Sequence, residues 1–204
     1  MRENTLKNNQ GNLYYRVYGA GNPVILLHGF GIDGTIWENQ ANYLEKKYRL
    51  IVPDLPGSGR SDRRDAPLSI EMLADDILLI IENENINRCS LIGHSMGGYI
   101  TLAFAEKYPD RLRSFGLFHS TAYTDDETKI NNRKKNIDFI NKYGAAKYLS
   151  QAIPGFFSTG FKAGNPKTVD NLIARQAGFS ASSLIRYTEA MIHRPDRTSV
   201  LKNF

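Results

Sequence analysis

Apolar and polar residues follow a regular order along the first 120 residues, in short runs typical of strands and longer runs typical of helices. Apolar residues also recur at helical spacing between the strand-type runs. The strand-type runs cover residues 13–18, 24–27, 48–55, 89–92 and 114–119, and the helix-type runs cover 36–47, 70–81 and 99–107. Because strand and helix alternate, the pattern predicts an α/β fold with a mostly parallel sheet covered by helices on both faces.

The alternation stops after residue 124. Residues 125–194 carry only helical patterns, broken at Pro154-Gly155 and at Gly164-Asn165-Pro166. No Ser/Gly/Pro-rich linker separates this block from the rest, so a helical cap is preferred to a separate helical domain. We predict a core over residues 1–124, a cap over 125–194 above the carboxyl ends of the strands, and the start of a return to the core at 195–204.

Composition narrows the function classes. The 204 residues are 41% hydrophobic, enough to bury a sizeable core, and the net charge is +5. Basic residues alternate with acids except in Arg133-Lys134-Lys135, which we interpret as the solvated face of a helix and not as a nucleic-acid site. No apolar run approaches the roughly 20 residues that span a membrane, and residues 1–10 lack the apolar centre of a signal peptide. We therefore expect a soluble, cytoplasmic protein that binds neither nucleic acid nor membrane.

The single cysteine, Cys89, lies in an apolar strand-type run. One cysteine forms no intramolecular disulfide, so the sequence predicts a buried, unreactive thiol and excludes metal binding through thiolates. No metal is implied elsewhere.

The candidate chemistry centres on Gly93-His94-Ser95-Met96-Gly97, a G-x-S-x-G pattern. It falls where the apolar run 89–92 gives way to a helix-type run. A sharp strand-to-helix turn of this kind lifts a serine hydroxyl clear of the sheet, and Gly93 and Gly97 leave room for the crowded backbone. Ser95 is the candidate nucleophile, and the alternative is an ordinary serine in a glycine-containing loop.

A second glycine pattern points to a different function. Gly29-x-Gly31-x-x-Gly34 follows a strand, and Asp54 stands twenty residues further on, as in a dinucleotide-binding fingerprint. Asp33 would however place a carboxylate where the pyrophosphate should lie, and His28 and Phe30 crowd a turn that needs to be bare. An NAD-binding oxidoreductase is thus a remote alternative.

Three separated motifs resemble those of the α/β-hydrolase family, and they occur in the family's order. They are His28-Gly29-Phe30, the loop 54–62 and Gly93-His-Ser-Met-Gly-Gly98. The resemblance implies a serine hydrolase that cleaves a small or medium carboxylic ester, or a related acyl substrate, through an acyl-enzyme on Ser95. It implies no cofactor. Lactone opening, carbon–carbon bond hydrolysis and perhydrolysis stay open, as does the oligomeric state.

The resemblance also assigns roles to individual residues. It places the oxyanion hole at the backbone N–H groups of Met96 and Phe30. The supporting residues are His28, Gly29, Gly93, His94 and Gly97, and His119 is a candidate pocket residue.

The resemblance leaves the triad incomplete. The family places the acid and then the histidine after the serine, and the sequence ends before either position. Asp125 and Asp126 stand where a minority of the family carries its acid. We therefore expect a truncated chain without the last two strand-helix units, in which the strand at 114–119 is a bare edge and the helix after Ser95 lacks part of its cover. A catalytically inactive ligand-binding protein is the alternative.

Overall fold

The computed structural model describes residues 1–202. Their strands form one six-stranded sheet. The strand order is β1-β2-β4-β3-β5-β6. The strands are β1 (Arg2–Asn8), β2 (Gly11–Tyr18), β3 (Asn22–Leu27), β4 (Tyr48–Pro53), β5 (Cys89–His94) and β6 (Leu112–Phe118). The last four strands pair in parallel, whereas β1 and β2 pair antiparallel. The structure confirms the predicted α/β class with a mostly parallel sheet.

Strand β1 was not predicted, because its residues are almost all polar. It forms the outer strand of a hairpin in which Arg2 pairs with Val17 and Asn8 pairs with Gly11. An edge strand exposes its side chains to water, so backbone hydrogen bonds hold it without an apolar pattern. Gly11 has φ +119°, a backbone conformation that glycine adopts without strain, where the chain turns into β2.

Three helices connect the strands of the core. Helix α2 (Ile70–Asn83) begins at the predicted cap, since the Ser69 hydroxyl accepts a hydrogen bond from the N–H of Met72 at 3.1 Å. Helix α1 (Glu38–Leu44) is shorter than predicted because a 3₁₀ turn precedes it. Helix α3 (Met96–Lys107) begins three residues earlier than predicted.

The two faces of the sheet are covered unequally. The larger apolar cluster lies between the sheet and helices α2 and α3. On the opposite face α1 packs through Trp37 and Ala41 over β3 and β4. Next to α1, over β5 and β6, lies a hollow of about 380 Å³. Within residues 1–202, β6 is the last strand of the sheet, and its Phe118 is 52% exposed.

Helix α3 is better covered than we expected. Nine of its twelve residues are buried, because α2 packs along it and the 3₁₀ turn Thr198–Lys202 crosses it. Arg197 strengthens this crossing with ion pairs to Glu71 of α2 and Glu106 of α3. Residues 195–202 thus contact α2 and α3, and of the predicted return segment 195–204, Asn203 and Phe204 lie outside the described residues.

Residues 127–192 form five helices with a small apolar core of their own, centred on Ile140, Leu149 and Leu184. The helices are α4 (Glu127–Tyr143), α5 (Ala145–Ala152), α6 (Thr159–Gly164), α7 (Pro166–Gln176) and α8 (Ala181–Ile192). None of the helices within residues 1–202 combines the length and the hydropathy needed to cross a membrane.

This helical segment rests on the loops that follow β3 and β4. The Tyr187 hydroxyl of α8 donates to the carbonyl of Pro56 at 2.7 Å, and the amide of Gln176 donates to Asp33 at 3.2 Å. Phe30 packs edge-on against Tyr148 of α5. The segment therefore lies at the carboxyl ends of the parallel strands, the usual ligand-binding side of such a sheet.

Candidate active site

Ser95 occupies the junction between β5 and α3 in a strained backbone conformation. Its φ is +53° and its ψ is −116°, in a region that a residue with a Cβ rarely adopts. Such strain persists only where the surroundings enforce it. Here the N–H of Ser95 donates to the carbonyl of Phe118 at 3.0 Å, and its carbonyl accepts from the hydroxyl of Ser120 at 2.8 Å. The turn is thus held from the neighbouring strand.

The glycines around Ser95 stand where no side chain fits. A Cβ at Gly93 would overlap the carbonyl oxygen of Gly97. A Cβ at Gly97 would lie 2.7 Å from the carbonyl oxygens of both Leu27 and His28. These neighbours are backbone atoms, which cannot move aside as a flexible side chain can. The close approach of β5, α3 and the end of β3 therefore requires both glycines.

The loop after β3 runs directly against Ser95. A Cβ at Gly29 would lie 3.1 Å from the Cβ of Ser95 and 3.1 Å from Nδ1 of His94. Gly31 has φ +69°, and a Cβ there would lie 2.7 Å from a methyl group of Leu149 in the helical segment. The backbone around Phe30 is thereby brought between the serine and the helices above it.

His28 fixes this loop to the loop after β4. Its Nε2 accepts a hydrogen bond from the N–H of Leu55 at 3.0 Å, so the ring proton belongs on Nδ1, which donates to the carbonyl of Gly29 at 2.8 Å. The Ser58 hydroxyl lies 2.9 Å from Nε2 and donates to the carbonyl of Leu55. Complete burial lowers the pKa of His28, which favours this neutral form. His28 therefore positions backbone and is not free to exchange protons.

Asp54 has a similar structural role. Its carboxylate accepts from the N–H groups of Gly34 and Arg60, each at 2.9 Å, and forms an ion pair with Arg16 at 3.3 Å. Asp54 is fully buried and cannot reach a ribose. Asp33 accepts from the N–H of Thr35, as the cap of a 3₁₀ turn. The residues of the G-x-G-x-x-G pattern therefore form a loop that is held by hydrogen bonds to Asp54 and Asp33. The loop has no accessible acidic residue of the kind that a dinucleotide site requires.

A cavity of about 360 Å³ opens beside Ser95, between the sheet end and the helical segment. Its volume falls within the range of small-molecule sites. The lining residues are Phe30, Ile32, His94, Ser95, Tyr99, His119, Arg133, Phe156 and Met191. The structure thus brings together Ser95, Phe30, His94 and His119, which were singled out in the sequence, with helical-segment residues that were not.

The histidines other than His28 have different surroundings. His94 packs between Trp37 and Phe118, and burial lowers its pKa, with the neighbouring His119 and His28 adding to the effect. His119 follows β6 with a positive φ of 46° at the cavity. His193 is exposed at the end of α8. Within residues 1–202 the Ser95 hydroxyl forms no hydrogen bond with any histidine.

The position of the Arg133 side chain differs from the one predicted from the sequence. The run Arg133-Lys134-Lys135 was interpreted as a solvated helix face, yet the Arg133 side chain is only 21% exposed and lines the cavity. Its Nε donates to Asp125 at 2.5 Å. The sequence signal for this inward orientation was the apolar spacing of Ile130 and Ile137, which places Arg133 on the buried side of α4.

The carboxylate of Asp125 forms ion pairs with two arginines. One carboxylate oxygen accepts from Arg133 and the other accepts from Arg194 at 2.8 Å. Burial alone would raise the pKa of Asp125, but the two hydrogen bonds outweigh it and lower the pKa to about 2. Asp126 caps α4 by accepting from the N–H of Lys129. Neither carboxylate is hydrogen-bonded to a histidine within residues 1–202.

The sequence profile described as the alpha/beta hydrolase fold matches residues 22–155, about two thirds of the chain. The chain belongs to the alpha/beta hydrolase fold family. The match includes the loop at Gly29, the loop 54–62, the turn at Ser95 and the first helices of the segment above them.

Among proteins of the alpha/beta hydrolase fold, the putative carbamate hydrolase RutD of Azorhizobium caulinodans is 32% identical over 114 residues. That alignment covers 56% of this chain and 43% of RutD, so the chain spans less than half the length of this relative. The 2-hydroxy-6-oxo-2,4-heptadienoate hydrolase of Pseudomonas putida is 28% identical to this chain. That alignment covers 90% of this chain and 75% of the Pseudomonas hydrolase. A thermophilic esterase from Thermogutta terrifontis, solved with malate bound, superposes with a TM-score of 0.89 at 27% identity, over 98% of this chain and 75% of the esterase.

Proposed function

We propose that the protein is a serine hydrolase that cleaves small or medium acyl substrates, such as carboxylic esters, with Ser95 as the nucleophile. The observation that carries the proposal is the strained backbone of Ser95 at the β5–α3 junction, facing the cavity of about 360 Å³. Strained backbone held by several partners is characteristic of catalytic groups. The names of the relatives support hydrolysis in general, and the choice of an acyl substrate rests on the serine.

In the proposed reaction, the Ser95 oxygen attacks the carbonyl carbon and the carbonyl electrons move to its oxygen. The backbone N–H groups of Met96 and Phe30 are the proposed donors to this oxyanion. Two features support them. Met96 begins the twelve-residue helix α3, whose N-terminus carries partial positive charge, and Gly29 holds the Phe30 loop against Ser95. His28, Gly93, His94 and Gly97 support the site through the contacts described above.

The tetrahedral intermediate then expels the alcohol, which takes a proton, and leaves an acyl group on Ser95. Water hydrolyses this ester and restores the serine. Both steps need a general base, first to accept the serine proton and then to activate water. In this fold the acid and the histidine follow the serine in chain order, and we assign neither role to any of residues 1–202.

We assign the helical segment 125–194 the role of a cap, and residues 1–124 that of the core. The cavity is lined from both sides, since Phe30 and Tyr99 come from the core whereas Phe156 and Met191 come from the segment. A cap that supplies three of the nine lining residues determines which acyl groups fit and excludes water from the attack.

Fluorophosphonate labelling tests the proposal directly, because the reagent reacts with activated serines. We expect labelling at Ser95 in the folded full-length protein, which carries the general base, and its loss in Ser95→Ala. The matched control is Ser90→Ala on the same strand. Within residues 1–202 the Ser90 hydroxyl is hydrogen-bonded only to Ser114, and its removal should leave labelling unchanged. A cooperatively melting protein that binds the ester p-nitrophenyl butyrate but remains unlabelled would favour the alternative, a ligand-binding protein.

A further inference from the structure

The cavity beside Ser95 contains a positive charge. Arg133 is the only formally charged side chain among its nine described lining residues, of which Phe30, Ile32 and Met191 are apolar. A guanidinium is ionised at any physiological pH, so a ligand in this cavity meets a fixed cation. The nearest carboxylate, Asp125, is 3% exposed behind Arg133 and does not line the cavity.

Asp125 does not neutralise this charge. It is shared with Arg194, so two arginines face one carboxylate and the cluster of three side chains keeps a net charge of +1. Arg194 is 3% exposed and is bonded to the carbonyls of Met191 and Tyr123, with its guanidinium 3.9 Å from the ring centroid of Tyr99. The uncompensated charge is therefore presented to the cavity by Arg133.

The donors of Arg133 are only partly used. Its Nε is bound to Asp125, and Nη1 lies 3.2 Å from the sulfur of Met191, a weak acceptor. Nη2 forms no hydrogen bond with any of residues 1–202. The edge formed by Nη1 and Nη2 matches two carboxylate oxygens, and Asp125 holds the guanidinium plane so that little side-chain entropy is lost on binding.

We propose that Arg133 binds a carboxylate of the substrate, and that the protein prefers acyl compounds carrying a second, ionised carboxyl group, such as monoesters of short dicarboxylic acids. This inference rests on the proposed function, because it names the substrate class of the same site. Ser95 attacks the ester carbonyl while Arg133 holds the carboxylate at the other end. The apolar lining accommodates the carbon chain between them.

The test compares two esters that differ at one end only: monomethyl succinate and methyl butanoate. We expect a kcat/KM at least about 10-fold higher for the succinate ester, as one charge-assisted hydrogen-bonded contact typically supplies. Arg133→Met should remove most of this preference, because it lowers kcat/KM for the succinate ester much more than for methyl butanoate. The matched control is Lys135→Met, which removes the same charge from an exposed position of the same helix.

A purely structural role for Arg133 predicts a different result, namely an equal loss with both esters, and that outcome would overturn the proposal. Binding of the two esters to Ser95→Ala, measured by calorimetry, gives the same comparison without turnover. An unlabelled wild-type protein whose Ser95→Ala variant still prefers the succinate ester would refute the serine chemistry and retain the carboxylate site. Fluorophosphonate labelling of a protein that shows no preference between the esters would support the serine chemistry and refute the carboxylate site.

Discussion

A Cβ at Gly29 would lie 3.1 Å from the Cβ of Ser95, so the proposed oxyanion loop lies too close to the proposed nucleophile for a side chain to fit without a shift. The added atom also meets Nδ1 of His94 at 3.1 Å. Because neither neighbour is the free end of a long side chain, a methyl group there shifts the loop by a few tenths of an ångström. The geometry between Ser95 and the N–H of Phe30 depends on this contact.

Gly29→Ala should therefore impair reactivity more than folding. We expect fluorophosphonate labelling at Ser95 to slow by about 10-fold to 10²-fold, since small displacements of reacting groups cost rates of this order. The thermal midpoint should fall by only a few degrees. Gly160→Ala is the control, because an added Cβ there has no neighbour within 4 Å. Equal labelling rates for the two variants would contradict the assigned role of the loop.

Gly97→Ala should act on the fold itself. The added Cβ would lie 2.7 Å from two backbone carbonyl oxygens, those of Leu27 and His28, and overpacking against a rigid neighbour costs about 1–3 kcal/mol or more. Urea denaturation should show a loss of this size. Gly116→Ala is the comparison, since its nearest neighbours lie at 3.7 Å or beyond. A Gly97→Ala protein as stable as Gly116→Ala would mean that the helix start is not fixed by this contact.

Much of the core was predictable because its strands are buried and therefore apolar. Residues 24–27 and 89–92 have the side chains that a covered sheet needs, and the fold class follows from their alternation with helices. Strand β1 was not predictable for the opposite reason. Backbone hydrogen bonds to β2 stabilise β1, and such bonds require no alternation of apolar and polar residues that could be recognised in the sequence.

The site was predictable only where motif and fold coincide. Ser95 and the loop at Gly29 were identified because tight backbone approach demands glycines at fixed spacing. Arg133 was misinterpreted because the basic run was considered alone, without the apolar spacing of Ile130 and Ile137 that places Arg133 on the buried side of α4. Its partner Asp125 lies eight residues away, before α4 begins, and one-dimensional spacing does not show that the two meet.

Cys89 provides a direct measure of global unfolding. Its side chain is fully buried, and burial raises the pKa of its thiol to about 12, so at pH 8 almost no reactive thiolate exists in the folded protein. Iodoacetamide should modify the native protein more slowly than the urea-unfolded protein, by a factor set by the small population of unfolded molecules. Ser95→Ala is expected to leave both rates unchanged. Fast modification under native conditions would indicate that β5 opens locally.

The last prediction concerns the ion pairs of Asp125, which join the loop after β6 to helix α4 and to the segment that follows α8. Its folded pKa of about 2 lies below the ordinary value of 3.8, so ionised Asp125 stabilises the folded state. The stabilisation, about 2 kcal/mol, is fully present above about pH 5 and decreases as the pH falls toward 2. Asp125→Asn should cost at least this amount at pH 7, because it leaves Arg194 buried beside a neutral amide.

The pH dependence separates this ion-pair contribution from a change of shape. In urea denaturation the difference in unfolding free energy between wild type and Asp125→Asn should decrease by about 1 kcal/mol between pH 7 and pH 3. At pH 3 Asp125 is mostly protonated in the unfolded wild-type chain and mostly ionised in the folded one. Asp138→Asn, an exposed change on the same helix, should show no such trend. A difference that stays constant with pH would assign the cost to lost hydrogen-bond geometry, and Arg133 would then not depend on the charge of Asp125 for its orientation.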